Sequence, residues 1–127
     1  MRDGDPPQIR ALIADDHEMA RAGLRALLSG LDALQVVAEA VNGEQAVNMA
    51  VRLRPELLLL DLRMPGTDGF AVIRRLAQFP PMPCVVIVTM HNDIEYLREA
   101  REAGAHGYVL KDASRSELLA SIDAALR

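Results

Sequence analysis

Residues 57–61 read Leu57-Leu58-Leu59-Leu60-Asp61, and this stretch decides the fold together with the run Cys84-Val85-Val86-Ile87-Val88-Thr89 at positions 84–89. A strand with one face in water alternates apolar and polar residues, whereas a strand of a parallel sheet is covered on both faces and is apolar throughout. Both runs have the length of strands. They therefore predict two fully covered strands of a parallel sheet.

Three more runs of strand length lie outside this pair, at Ile9–Ala14, Leu34–Ala40 and Gly107–Leu110. The stretches between the five runs place apolar residues on one helical face, as with Leu24, Leu27 and Leu28. Ser114, with Glu117 three residues later, predicts a capping box at the start of the last helix. Strands that alternate with helices predict βαβ units, and hence an α/β fold with a doubly wound five-stranded parallel sheet.

Length and composition indicate a single domain. The chain has 127 residues, of which 50% are hydrophobic, 25% charged and 3% aromatic, so its core consists of aliphatic side chains. Residues 1–8 are rich in Asp, Gly and Pro, and we expect them to be a disordered extension. The predicted domain spans residues 9–127.

Charge and cysteine content exclude several classes of function. The net charge is −4, from 14 basic and 18 acidic residues, so the chain does not attract nucleic acid or an anionic membrane surface. Its apolar runs are far shorter than the roughly 20 residues that span a bilayer. The single cysteine, Cys84, forms neither an internal disulfide nor a zinc cluster. We expect a cytoplasmic protein with no membrane contact.

Polar residues follow the predicted strands at their carboxyl ends, where ligands bind in open α/β sheets. They are Asp15 and Asp16 after the first strand, Asp61 after the third, Thr89 at the end of the fourth and Lys111 after the fifth. Each carboxylate pair would repel by about 4 kcal/mol at 4 Å and an effective dielectric of 20, so three carboxylates at one edge call for a cation. All-oxygen ligands suit Mg²⁺, and Lys111 supplies a fixed positive charge opposite the metal.

Each of these residues also has a structural interpretation. Asp15 or Asp16 is a suitable cap for the first helix, and Asp61 a suitable start for a turn. Thr89 is an ordinary strand residue, and a lone lysine such as Lys111 is usually solvated. The coincidence of all five at strand ends favours the metal site.

In its motifs the chain resembles a response regulator receiver domain of two-component signalling, from Ile9 to Leu126. The matching residues are Asp15-Asp16, Leu57-Leu58-Leu59-Leu60-Asp61, Met64-Pro65-Gly66 with Asp68-Gly69, Val85-Val86-Ile87-Val88-Thr89, Ala103-Gly104-Ala105 and Gly107-Tyr108-Val109-Leu110-Lys111. The resemblance implies a flavodoxin-like (βα)5 fold with the strand order 2-1-3-4-5, an order that also occurs in the flavodoxin-like examples of the doubly wound class.

The resemblance also implies roles for these residues. Asp61 is the expected phosphoacceptor, which takes a phosphoryl group from a sensor histidine kinase or a small phosphodonor. Asp16, Asp61 and the main-chain carbonyl of Arg63 are the expected Mg²⁺ ligands, and Asp15 is expected to act through bound water. Lys111 is expected to neutralise charge during the transfer.

Two further residues are implied as the conformational switch. Thr89 would bond a phosphoryl oxygen, and the rotamer of Tyr108 would follow Thr89. The implied protein is a signalling switch that catalyses only its own phosphotransfer and dephosphorylation, and that forms a homodimer when phosphorylated. Met90 after Thr89 and Asp112 after Lys111 resemble the branch with a C-terminal helix-turn-helix output domain. DNA contact would then come only from such a domain, outside this chain; the alternative is a stand-alone receiver that acts through protein–protein interaction.

Three rival functions fit the same fold less well. A flavodoxin-like flavin protein needs a phosphate loop after the first strand, but Asp15-Asp16-His17-Glu18 repels phosphate. A Mg²⁺-dependent phosphohydrolase with an aspartyl phosphate commonly carries Asp-x-Asp there, and Asp15-Asp16 lacks that spacing. An interaction domain without phosphorylation would be favoured if Asp61 or Lys111 were missing, and both are present.

Overall fold

The computed structural model describes residues 8–64, 66, 68–90 and 94–127. Strands and helices alternate along the chain, and the five strands have the bounds predicted from the apolar runs. The elements are β1 (Ile9–Ala14), α1 (Glu18–Leu28), β2 (Leu34–Ala40), α2 (Gly43–Leu53), β3 (Leu57–Leu60), α3 (Gly69–Leu76), β4 (Cys84–Thr89), α4 (Ile94–Ala103), β5 (Gly107–Leu110) and α5 (Arg115–Leu126). The extension predicted for residues 1–8 lies, except for Gln8, outside the described residues.

The five strands form one parallel sheet in the order β2-β1-β3-β4-β5, which confirms the predicted topology. Ala14 of β1 pairs with Leu60 of β3, and Thr89 of β4 pairs with Leu110 of β5. This register aligns the carboxyl ends of the strands. The residues that follow them therefore share one edge of the sheet.

Alternate strand residues enter two separate cores, which explains why β3 and β4 have no polar face. Leu58 and Leu60 pack with α2, α3 and α4 on one side, whereas Leu57 and Leu59 pack with α1 and α5 on the other. All four leucines are at most 1% exposed. Within the described ranges, no helix is long and apolar enough to span a bilayer.

The start of α1 shows whether Asp15 or Asp16 caps that helix. The N-cap of α1 is His17, and its side chain makes no capping hydrogen bond. The interpretation of Asp15 or Asp16 as a helix cap is therefore wrong. The capping box of Ser114 and Glu117 at α5 is present as predicted.

Candidate functional site

Asp15 and Asp61 lie side by side because β1 and β3 are neighbours in register. The amide of Asp61 donates to the carbonyl of Ala14 at 2.9 Å, and the amide of Asp15 donates to the carbonyl of Ala40 at 3.0 Å. Asp15 is 1% exposed and Asp61 is 5% exposed. The last sheet hydrogen bonds thus hold two buried carboxylates at the same edge.

Lys111 reaches both of these carboxylates from β5. Its Nζ lies 2.7 Å from Asp15 Oδ2 and 3.3 Å from Asp61 Oδ2, and its side chain is 17% exposed. The amide of Lys111 donates to the Thr89 carbonyl at 2.8 Å, which fixes the base of the side chain. Lys111 thus neutralises part of the charge of the two acids by direct contact, whereas the sequence placed its charge opposite a metal.

The protonation of Asp61 and Lys111 reflects this ion pairing. Burial raises the pKa of Asp61 above its usual value; the Lys111 charge and the hydrogen bond from the Arg63 amide oppose that rise, and the Asp15 charge adds to it. Burial alone would lower the pKa of Lys111. The hydrogen bond to Asp15 and the charges of Asp61 and Asp15 outweigh burial, so the pKa of Lys111 is raised. Asp61 is thus a buried carboxylate that a neighbouring cation helps to keep ionised.

Asp16 contributes a buried carboxylate oxygen to the site. This Oδ1 accepts no hydrogen bond from the residues that the structure describes. His17 Nδ1 lies 3.0 Å from this oxygen, but the hydrogen bond of that ring nitrogen is to Asp15 Oδ1 at 3.2 Å. An orphaned carboxylate oxygen beside two other carboxylates is suited to a hard cation.

The donor set agrees with the predicted Mg²⁺ site. One ligand atom from each of Asp15, Asp16, His17 and Asp61 can be chosen so that all four lie within 4.8 Å of one another. Three of the four are carboxylates, the ligand type that Mg²⁺ prefers. The residues present therefore fit the metal that the sequence predicts.

Asp16→Asn is expected to raise the melting temperature of the metal-free protein by roughly 3 °C, because it removes one of three adjacent negative charges. The stabilisation by Mg²⁺ should shrink in the same variant, since an amide is a weaker ligand than a carboxylate. Thermal unfolding in EDTA and in Mg²⁺ measures both effects. Asp32→Asn, at an exposed acid before β2, is the control and should change neither. A lower melting temperature of Asp16→Asn in EDTA would contradict the proposed repulsion.

Arg63, which follows β3, contacts both Asp61 and a residue of α4 through hydrogen bonds. Its amide donates to Asp61 Oδ1 at 3.3 Å, and its Nη2 donates to the hydroxyl of Tyr96 at 2.9 Å. The guanidinium also lies 5.9 Å from the centre of the Tyr96 ring, which stacks on Phe70 of α3. Arg63 was expected at the site through its main-chain carbonyl, whereas its partner Tyr96 was not predicted from the sequence.

The loop between Asp61 and α3 is closed by a glycine. The amide of Gly69 donates to the Leu62 carbonyl at 2.9 Å. A Cβ at position 69 would lie 2.7 Å from the Leu62 Cα, so no larger residue fits without a shift of the backbone. Asp68 caps α3 by accepting a hydrogen bond from the Ala71 amide at 2.8 Å. The glycine thus allows the start of α3 to approach Leu62 closely.

The two predicted switch residues occupy different surroundings. Thr89 is fully buried at the end of β4. Tyr108 is half-buried on β5, opposite Ile87, and packs against the core that contains α3 and α4. It also lines a groove of about 880 Å³ with Ile94 and Leu97 of α4. The structure therefore gathers Asp15, Asp16, Asp61 and Lys111 at one point and places Tyr108 beside α4.

A second charged cluster, which sequence analysis missed, supports the acidic pair. Glu39 lies at the carboxyl end of β2, next to Ala40. Its carboxylate accepts hydrogen bonds from Arg21 and Arg25 of α1. The spacing of the two arginines, four residues apart on one helix face, is the signal that predicts such a cluster.

Comparison with known proteins identifies the family. The family model of the response regulator receiver domain matches residues 11–123. Transcriptional regulatory protein YdfI of Bacillus subtilis is 38% identical over 118 residues, which are 93% of this chain and 55% of that protein. Nitrate/nitrite response regulator protein NarL of Escherichia coli is 39% identical over 111 residues, 87% of this chain and 51% of NarL. The chain spans about half the length of the curated relatives it matches.

Solved structures give the same result. A two-component response regulator of the LuxR family from Aurantimonas sp. SI85-9A1 has a TM-score of 0.88 and 34% identity, over 94% of this chain and 85% of that chain. A DNA-binding response regulator of the LuxR family from Staphylococcus aureus has a TM-score of 0.85 and 27% identity, over 94% and 99% of the two chains. The similarity thus covers the whole sheet and its helices.

Proposed function

The chain belongs to the response regulator receiver domain family, and from that premise we propose that it is a phosphoacceptor switch whose acceptor is Asp61. The observation that carries the proposal is the contact of Lys111 Nζ with both Asp15 and Asp61. A lysine held between two buried carboxylates remains in place to neutralise new negative charge on either of them.

Phosphoryl transfer would use the groups around Asp61 as follows. A carboxylate oxygen of Asp61 forms a bond to phosphorus while the bond from phosphorus to the donor nitrogen or oxygen breaks. Lys111 supports the transferred group from the β5 side, and the Arg63 amide steadies the Asp61 carboxylate at 3.3 Å. Mg²⁺, held by Asp16, Asp61 and the Arg63 carbonyl with Asp15 acting through water, would supply further positive charge to the phosphoryl oxygens.

We propose a sensor histidine kinase as the partner and the cytoplasm as the place of action. The chain would act on its own Asp61 and would turn over no separate substrate, so it is a signalling protein and not an enzyme in the usual sense. The receiver would span residues 9–127.

The experiment that tests this function is incubation with acetyl phosphate and Mg²⁺, followed by intact-mass measurement. One phosphoryl group per chain supports the proposal when EDTA prevents the gain. Bound flavin, or no gain in mass under any condition, would contradict it.

We also propose that Thr89 and Tyr108 form the switch. A phosphoryl group shifts a conformational equilibrium only if it binds one arrangement better than the other, and the Thr89 hydroxyl is the expected source of that preference. Tyr108 would respond because it packs beside α4, the next helix after Thr89.

A beryllium fluoride complex, which mimics the phosphoryl group, is expected to change the NMR shifts of Thr89, Tyr108 and α4 as well as those of the acidic residues. Thr89→Ala should keep the changes at Asp61 and weaken those at Tyr108. Changes confined to the acidic residues of the unmutated protein, with Tyr108 and α4 unaffected, would contradict the switch.

The output is proposed to be transcription, through a DNA-binding domain outside this chain and a homodimer formed on phosphorylation. The support is that YdfI, a transcriptional regulatory protein by name, is about twice as long as its matched part. The Staphylococcus aureus neighbour is a DNA-binding response regulator by name. Because the net charge of this chain is −4, contact with DNA would come from that other domain. A stand-alone receiver that acts through protein partners is the alternative.

A further inference from the structure

The Asp15 carbonyl lies where the sheet stops providing hydrogen-bond donors. In a parallel sheet the amide and carbonyl of one residue point toward the same neighbouring strand. The Asp15 amide is bonded to Ala40, the last residue of β2, so no further strand residue remains for the Asp15 carbonyl. Arg21 supplies the missing donor, and its Nη1 lies 2.7 Å from that carbonyl oxygen.

Arg21 is itself held in one position. Its Nε donates to Glu39 Oε1 at 3.1 Å, and its side chain is only 13% exposed. Arg25 Nη1 lies 2.6 Å from both oxygens of the same carboxylate, but in the part of the chain that the structure describes it does not contact Arg21's acceptor on Asp15. A guanidinium suits this position because its planar N–H groups can serve two acceptors at once.

We infer that Arg21 is a positioning residue for the acidic site, which it supports through the peptide between Asp15 and Asp16. The carbonyl that it holds belongs to the peptide plane that joins these two residues. Rotation of that plane would redirect both carboxylates, including the orphaned Asp16 Oδ1. The inference rests on the proposed function, because it concerns the predicted Mg²⁺ site.

Positioning and simple electrostatics make opposite predictions for Arg21. Loss of a positive charge near three carboxylates would by itself strengthen the binding of a divalent cation. Loss of the hydrogen bond to Asp15 would weaken it, because the two carboxylates would no longer be held in a binding arrangement. The sign of the change in Mg²⁺ affinity therefore separates the two effects.

Arg25 provides a matched control on the same helix. Both arginines carry one positive charge and both contact Glu39. Of the two, Arg21 alone has a hydrogen bond to Asp15 among the contacts of the described residues. Arg25→Met therefore measures the effect of the lost charge, whereas Arg21→Met adds the loss of the Asp15 contact.

The experiment is a Mg²⁺ titration of the full chain, followed by the NMR shifts of the Asp15 and Asp16 amides. Arg21→Met is expected to bind Mg²⁺ roughly tenfold more weakly than the unmutated protein, the scale of a charged hydrogen bond. Arg25→Met should bind at least as tightly as the unmutated protein. The amide of Asp16, which shares the peptide plane with the Asp15 carbonyl, should shift in metal-free Arg21→Met and remain in place in Arg25→Met.

Unchanged or tighter Mg²⁺ binding by Arg21→Met would overturn the inference, and so would equal weakening in both variants. If Arg21→Met does not fold, Arg21→Lys replaces it in the test. Lysine keeps the net charge but lacks the planar fork, so weaker binding supports the inference and unchanged binding overturns it. Failure of the unmutated protein to bind Mg²⁺ would refute the proposed function itself, a result distinct from failure of the Arg21 variants to differ.

Discussion

Asp61→Asn is expected to abolish phosphorylation by acetyl phosphate, so that intact mass shows no labelled chain under conditions that label the unmutated protein fully. The reason is chemical, since an amide oxygen is a poor nucleophile and forms no stable acyl phosphate. Position also matters, because Asp61 is the carboxylate that Lys111 Nζ and the Arg63 amide both contact among the described residues.

Asp68→Asn is the matched control for this variant. Asp68 lies in the same loop and is exposed, and its structural task is to cap α3. Asparagine caps helices as well as aspartate does, so Asp68→Asn should fold and label normally. Labelling of Asp61→Asn at the level of the unmutated protein would remove Asp61 from the acceptor role. Loss of labelling in both variants would show that the loop, and not the acceptor, was disturbed.

The strands could be predicted because the hydrophobic pattern of their residues matches the burial of those residues in the folded protein. Leu57–Leu60 are apolar at every position, and the structure covers both faces of that strand. The strand order could not be derived in the same way, since hydrophobic pattern carries no information about which strands are neighbours. It came from the family resemblance, and the structure confirms it.

The acidic residues were predictable because topology alone brings the ends of parallel strands together. The partners of these residues were harder to predict, since they depend on the reach of long side chains. Lys111 was expected to stand opposite a metal, yet in the structure it contacts Asp15 and Asp61 directly. Likewise, the contact of Arg21 with the Asp15 carbonyl arises because β2 ends before it can supply a backbone donor to that carbonyl. Hydrophobic pattern predicts where β2 ends, but it does not show which side chain donates to the carbonyl beyond that end.

The two buried carboxylates are expected to make Lys111 important for folding when no metal is present. Lys111→Met should lower the free energy of unfolding in EDTA at neutral pH by about 3 kcal/mol, because it leaves Asp15 and Asp61 buried without their cation. Arg127→Met is the control: Arg127 pairs with Asp123 at 2.7 Å on the surface, with 78% of its side chain exposed, and exposed pairs contribute little. Urea unfolding measures both variants, and equal effects would contradict the role of burial.

The pH dependence of Lys111→Met gives a second, independent check. Burial raises the pKa of Asp61 above the usual 3.8, and Lys111 is the charge that opposes this rise, so its removal should raise that pKa further. A folded-state pKa above the unfolded value means that the folded protein binds more protons, so stability falls as pH rises through the folded pKa. The deficit of Lys111→Met should therefore be largest at neutral pH and should shrink as the pH falls toward 3.8.

Added Mg²⁺ should raise the free energy of unfolding of Lys111→Met more than that of the unmutated protein, because the metal replaces the missing positive charge. A deficit that stays constant from neutral pH down to that value, or that Mg²⁺ leaves unchanged, would show that Lys111 stabilises the fold by packing and not by its charge.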